Sequence, residues 1–138
     1  MVKTEILNLN TRGNTDIIDV TGKVADFVKE CGLRNGAVNV FVPGATGGVT
    51  TIEFEAGLVK DFKNLMEELA PERRDYAHNE RWGDGNGHSH LRASLVGPSL
   101  CVPVSDGRLT LGTWQQVVVV DFDTRPRKRG VVLQAIGE

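Results

Sequence analysis

No stretch of this sequence approaches the ~20 consecutive apolar residues that a membrane-spanning helix needs, so a membrane role is not expected. Charge of one sign is missing as well. Sixteen Lys and Arg stand against eighteen Asp and Glu, a net charge of -2 with both signs mixed along the chain. Nothing in that balance draws the whole molecule to nucleic acid or to an anionic lipid surface. Cysteine is scarce: Cys31 and Cys101 stand alone among apolar neighbours, which excludes a disulfide framework and suggests small buried hydrophobes. The opening MVKTEILNLN lacks the apolar core and small-residue cleavage site of a signal peptide, and a cytoplasmic protein is expected. Repeats, linkers and low-complexity segments are also lacking, so residues 1–138 are expected to form a single domain. The one basic cluster, Arg125, Arg127, Lys128 and Arg129, fits a solvated turn between two strands, with a phosphate or subunit contact as the alternative.

What is present alternates in period. Thr4 to Leu9 alternates polar and apolar residues and predicts an opening strand. The Asn14-Thr15-Asp16 cluster offers a helix cap, followed by Ile17, Val20, Val24, Phe27, Val28 and Cys31 at helical spacing, with Gly32 placed to end the helix. Ala37 to Val42 and Val49 to Phe54 predict strands, the second carrying Thr51 and Glu53 on one side of its pleat. A second helix follows, with Leu58, Phe62, Leu65, Met66 and Leu69 on its buried face and Pro71 as its stop. Leu91 to Val96 suggests a short helix ending at Gly97-Pro98. Leu100 to Val104 and Arg108 to Leu111 flank Ser105-Asp106-Gly107, a strong hairpin signal, and Gln116 to Phe122 and Gly130 to Ile136 complete the strands. Two main helices with adjacent, hairpin-linked strands predict an α+β fold with a largely antiparallel sheet.

The pattern fails from Glu72 to Gly87, which is too long and polar for an ordinary connector; such loops are usually functional or mobile. All three histidines, His78, His88 and His90, lie in or beside this stretch, with Glu80, Asp84, Asn86 and Arg92 around them. Imidazole and carboxylate are ligands of zinc and other divalent metals. The same groups serve as general acids and bases, and a plain polar surface loop would also contain them. A His-x-His step converges on an extended path, which Gly83, Gly85 and Gly87 favour; on a regular helix the two rings would lie about 200° apart.

Two further segments compete for attention. In VPGATGGVTTIEFE, Gly44, Gly47 and Gly48 together with Thr46, Thr50 and Thr51 suggest either a backbone cradle for an anion or a tight turn between strands. It is not a Walker loop, because no Gly-Lys-Ser/Thr follows. Glu53 stands where a buried strand face is expected, and a buried carboxylate needs a partner. After the hairpin, Gly112-Thr113-Trp114-Gln115 offers an aromatic ring and an amide for a planar ligand, or equally a core or interface tryptophan.

Together these segments resemble the YjbQ family, small proteins often labelled secondary thiamine-phosphate synthase enzymes. The resemblance rests on Tyr76 and His78, on His90, Arg92 and Ser94, on LVGPSLCVPVSDGRLTLGTWQQ, on Glu53 and on the closing Gly137-Glu138. It implies a homotrimer with a histidine site near subunit boundaries, in which His78, His90, Glu53 and Asp84 do the chemistry. The reaction it implies joins a pyrimidine pyrophosphate to a thiazole phosphate and expels pyrophosphate, assisted by a divalent metal (zinc, magnesium or manganese). Many members of that family carry histidine where this chain has Gly44, so His88 is expected to replace it and complete a metal set of His78, His88 and His90. Thr46, Gly47, Gly48, Asn86, Arg92 and Trp114 are then the expected contacts to the phosphorylated small molecule, with Arg81 a further basic group. A non-catalytic metal- or metabolite-binding trimer is the competing expectation.

Overall fold

A computed structural model describes residues 1–138. The chain forms β1 (Val2–Thr11), β2 (Asp16–Asp19), α1 (Thr21–Glu30), β3 (Gly36–Phe41), β4 (Gly47–Ile52), α2 (Ala56–Leu69), α3 (Ala77–Trp82), α4 (Gly87–Val96), β5 (Ser99–Ser105), β6 (Arg108–Leu109), β7 (Gln116–Asp121) and β8 (Arg127–Gly137). Every strand pairing is antiparallel, and the strands divide into a five-stranded sheet, ordered β1-β8-β3-β5-β6, and a three-stranded sheet, ordered β2-β7-β4. The α+β, largely antiparallel reading therefore holds.

The run Val117 to Val120 shows why the small sheet sits in the middle. A strand turns alternate side chains to opposite faces, and here both faces are apolar. Val117 and Val119 join the main core with Val24, Phe27 and Val28 of α1 and Val38, Val40, Val131 and Leu133 of the large sheet. Val118 and Val120 face the other way, into a smaller core with Ile17, Met66, Ala93 and Phe122. The small sheet is thus covered by the large sheet and α1 on one side and by α2 and α4 on the other. Packing on the second side positions the histidine segment.

Turn chemistry accounts for several boundaries. Asp106 and Gly107 have φ of 50° and 76°, the two positive values a type I′ hairpin requires. The carboxylate of Glu55 accepts hydrogen bonds from the N–H groups of Gly57 and Leu58, both 2.7 Å, and so caps α2. Those two bonds hold the Glu55 carboxyl below its ordinary range.

Four expectations change. The first helix does not begin at Asn14-Thr15-Asp16: Asp16–Asp19 pairs with β7 as a strand, and the helix starts at Thr21. Pairing with a fully buried strand outweighs the local cap signal, and Asn14 and Thr15 instead adopt left-handed conformations, φ 53° and 63°. Along α2 only Met66 is buried, while Leu65 and Leu69 are exposed, because α2 touches the small sheet along a narrow stripe. Cys101 is exposed and only Cys31 is buried. Finally, Arg129 does not lie in a solvated turn; it is buried on β8.

Candidate functional site

The segment expected to be an irregular loop contains α3, and α4 begins at Gly87. Gly83 and Gly85 (φ 69° and 67°) turn the chain between them. Tyr76, buried, anchors the start: its hydroxyl donates to the Pro71 carbonyl at 2.5 Å. The Gly87 N–H then donates to Asn79 Oδ1 at 2.9 Å. A Cβ at Gly87 would lie 2.8 Å from the Tyr76 Cβ, so only glycine lets the two helices close this far.

That closure brings two histidines together. The rings of His78 on α3 and His90 on α4 have centroids 4.4 Å apart and planes inclined at 42°. Both rings are half-buried. Asp84, in the turn, places Oδ1 3.5 Å from His78 Nδ1. That separation supports charge attraction but not a well-formed hydrogen bond, and His78 Nδ1 has no hydrogen-bond partner. With its amide nitrogen turned toward Asp84, Asn86 donates to Oδ1 at 2.9 Å and to Oδ2 at 3.2 Å, fixing the carboxylate. Helical spacing also puts Arg81 and Trp82, three and four residues after His78, on the His78 side of α3. Trp82 is 65% exposed. The exposed face therefore offers two imidazoles, an oriented carboxylate, a guanidinium and an indole.

His88 is not among them. Because His88 and His90 are two residues apart on a helix rather than on an extended segment, they project about 200° apart. His88 is 2% exposed and its Nδ1 has no partner. Burial, reinforced by the nearby Arg92 guanidinium and opposed by Glu72, Glu67 and Asp123, holds His88 below the ordinary histidine range and keeps it neutral. No three His, Cys, Asp or Glu side chains of this chain are grouped so as to hold a metal ion. The expected set of His78, His88 and His90 is therefore not assembled. A divalent ion at His78 and His90 would need ligands from outside this chain's own cluster.

Other expected contacts serve the fold. Arg92 is buried. Its guanidinium donates to the Ala70 carbonyl through Nε (3.0 Å) and Nη2 (2.9 Å), to Thr15 Oγ1 (3.1 Å) and to Glu67 Oε2 (2.7 Å). It ties α4 to the end of α2 and to the turn before β2. Gly47 and Gly48 are buried in β4 rather than forming an anion cradle. A Cβ on Gly48 would lie 2.9 Å from the Gly97 carbonyl oxygen and from Val96 Cγ1, so this glycine admits the end of α4. Glu53 lies just past β4 and is exposed, not on a buried strand face. Trp114 is 74% exposed, and beside it Gln115 Nε2 donates to Thr51 Oγ1 at 3.1 Å.

A second polar cluster went unread in the sequence. Asp121 is fully buried and accepts two hydrogen bonds from Arg129, both 2.9 Å, and one from the Thr11 hydroxyl. Thr46 is drawn into the same network, accepting from Arg129 at 2.8 Å and donating to Asp123 at 3.2 Å; Arg127 pairs with Asp123 at 3.0 Å. Burial alone would raise the Asp121 carboxyl, but Arg129, Thr11 and the Asp123 N–H together hold it below its ordinary range. The signal was Asp-x-Asp closing one strand and Arg-x-Arg opening the next, a spacing that puts each pair on one side of its strand.

Comparison with known proteins places this architecture. The family profile described as UPF0047 protein YjbQ-like matches residues 5–138. A UPF0047 protein of Archaeoglobus fulgidus is 39% identical over 130 residues, covering 94% of this chain and 98% of the relative. Among solved structures, a hypothetical protein of Aeropyrum pernix is 36% identical with a TM-score of 0.91, covering 99% of both chains. A YbjQ-like protein of unknown function from Sulfolobus solfataricus is 28% identical with a TM-score of 0.90, covering 100% of both.

Proposed function

The chain belongs to the YjbQ-like UPF0047 family, and we propose that it is an enzyme acting on a phosphorylated small molecule, with thiamine phosphate formation as the candidate reaction. The observation that carries this reading is the His78–His90 pair, 4.4 Å apart at a half-open surface and flanked by Asp84. Imidazole is the side chain best suited to exchange protons near neutral pH. In the candidate reaction the thiazole nitrogen displaces pyrophosphate from the pyrimidine's methylene carbon. An imidazolium can protonate the departing oxygen, and Asp84 lies close enough to His78 to orient it. Arg81 supplies a cation for a phosphate, and the exposed face of Trp82 suits a planar heterocycle. His78, His90 and Asp84 are thus assigned the chemistry. Glu53 is retained only as an exposed neighbouring carboxylate, and Asn86 as the group that orients Asp84.

The same reading includes a cytoplasmic homotrimer, supported by the apolar side chains of Leu95, Trp82 and Trp114 left at the surface. The test is turnover of pyrimidine pyrophosphate with thiazole phosphate, run with magnesium, manganese, zinc and no added metal. His78→Ala and His90→Ala should each lower the rate by about a hundred- to ten-thousand-fold. If the wild type binds these compounds without converting them, the chain is a metabolite-binding protein instead. A rate unchanged in both variants would overturn the assignment of the pair.

A further inference from the structure

Behind α4, on the side away from His90, lies a cavity of about 190 Å³ with no hydrophobic residue in its lining. Thr15, His88 and Arg92 form its buried part, and Lys63, Glu67 and Glu72 form its exposed rim. The volume equals that of about six water molecules at ~30 Å³ each, the scale of a very small metabolite.

Three features distinguish it from an ordinary polar dent. First, His88 is 2% exposed yet its Nδ1 meets no hydrogen-bond partner. A buried polar atom left unpaired costs free energy unless something else satisfies it. Second, the charges around the cavity are only half used. Arg92 and Glu67 are paired at 2.7 Å, but Lys63 and Glu72 line the same cavity without an ion pair to each other or to any other side chain. Third, Asn14 and Thr15 close one side in left-handed conformations, φ 53° and 63°, which non-glycine residues seldom adopt. That geometry places the Thr15 hydroxyl on Arg92.

We infer that this cavity is a binding site for a small zwitterion of α-amino-acid size, its ammonium group on Glu72 and its carboxylate on Lys63, with the His88 imidazole forming the base beneath it. The balance of charges decides the class. A simple anion would meet Glu72 and Glu67 as well as Lys63, and a simple cation would meet Lys63 and Arg92. A molecule carrying both charges satisfies both free rim groups at once. The wholly polar lining excludes a sizeable apolar side chain, so glycine and serine are the natural occupants. The inference is independent of any chemistry at His78 and His90.

The experiment is an amide-resolved NMR titration of the 15N-labelled full-length protein at pH 7.5 with glycine, and separately with acetate, methylammonium and inorganic phosphate. Glycine should give saturable shifts confined to Asn14–Thr15, Lys63–Glu72 and Gly87–Arg92, while acetate and methylammonium should not saturate. Lys63→Met and Glu72→Gln, both exposed positions that leave the fold intact, should each weaken glycine binding about 10- to 100-fold, as expected for one charged hydrogen bond. His88→Leu should weaken it too, with His88→Gln recovering part of the affinity. Three outcomes would overturn the inference: no saturable glycine shifts, glycine affinity unchanged in both rim variants, or saturation by phosphate alone.

Discussion

Helix α4 carries two histidines, two residues apart, and the protein treats them in opposite ways. His90 is half-exposed and its ring lies tilted against that of His78, on a face where Asp84 is held by Asn86. His88 is buried beside Arg92 and kept neutral. The chemistry of the residue is identical in both places. What differs is the side of a helix, and with it the solvent, the charge and the available partners. A shared residue type in a short motif therefore does not amount to a shared site.

The largest effect should come from breaking the exposed side. His90→Ala and His78→Ala remove only partly buried rings, so they should abolish most turnover while changing unfolding free energy by less than about 1 kcal/mol. Urea unfolding beside the kinetic assay checks both halves. A comparably large effect of the other kind is expected at Arg129→Met, which strands the fully buried Asp121. Breaking a buried pair from one side costs about 3–5 kcal/mol. Because the folded Asp121 carboxyl is held below its ordinary range, its contribution is complete above about pH 3.9 and is lost as pH falls through the lower folded value. Acid titration of the unfolding free energy should lose that component in the variant.

A smaller perturbation acts on the helix that carries both histidines. Gly48→Ala places a methyl group 2.9 Å from the Gly97 carbonyl oxygen, against backbone that must shift. The expected cost is about 1–3 kcal/mol, and displacement of α4 should show as changed ring signals of His90. The smallest effect is a pH dependence confined to the buried side. Folding favours neutral His88, whereas the unfolded imidazole takes up a proton below about pH 6.5. Stability should therefore decline as pH drops from about 6.5 toward the lower folded value and level off below it. His88→Gln should flatten the thermal midpoint over that interval.

Much of the fold was legible in the sequence, because the alternation of Val38, Val40 and Val42, the Asp106-Gly107 turn and the stop at Pro71 are local signals that packing did not contradict. The misreadings share one cause. Asp16–Asp19 looks like the start of a helix until β7 is there to pair with it. Glycines 83 and 85 suggest an irregular path to His88 in the sequence, but in the fold they form the turn between two helices. Once α4 starts at Gly87, helical geometry alone separates His88 from His90. Arg92 read as a phosphate ligand because nothing in the sequence reveals the Ala70 carbonyl, Thr15 and Glu67 that occupy it. Tyr76 and His78, by contrast, are close in both sequence and structure, one anchoring the segment and the other presented by it.

The division of labour along α4 can be tested without knowing the substrate. Diethyl pyrocarbonate acylates accessible neutral imidazoles, and peptide mass spectrometry resolves its rate at each of the three histidines in the folded protein. His78 and His90 should be modified rapidly, while His88 stays protected until the protein is unfolded in urea. Modification of His88 in the native protein as fast as His90 would contradict the account, because the two rings would then share one exposed face.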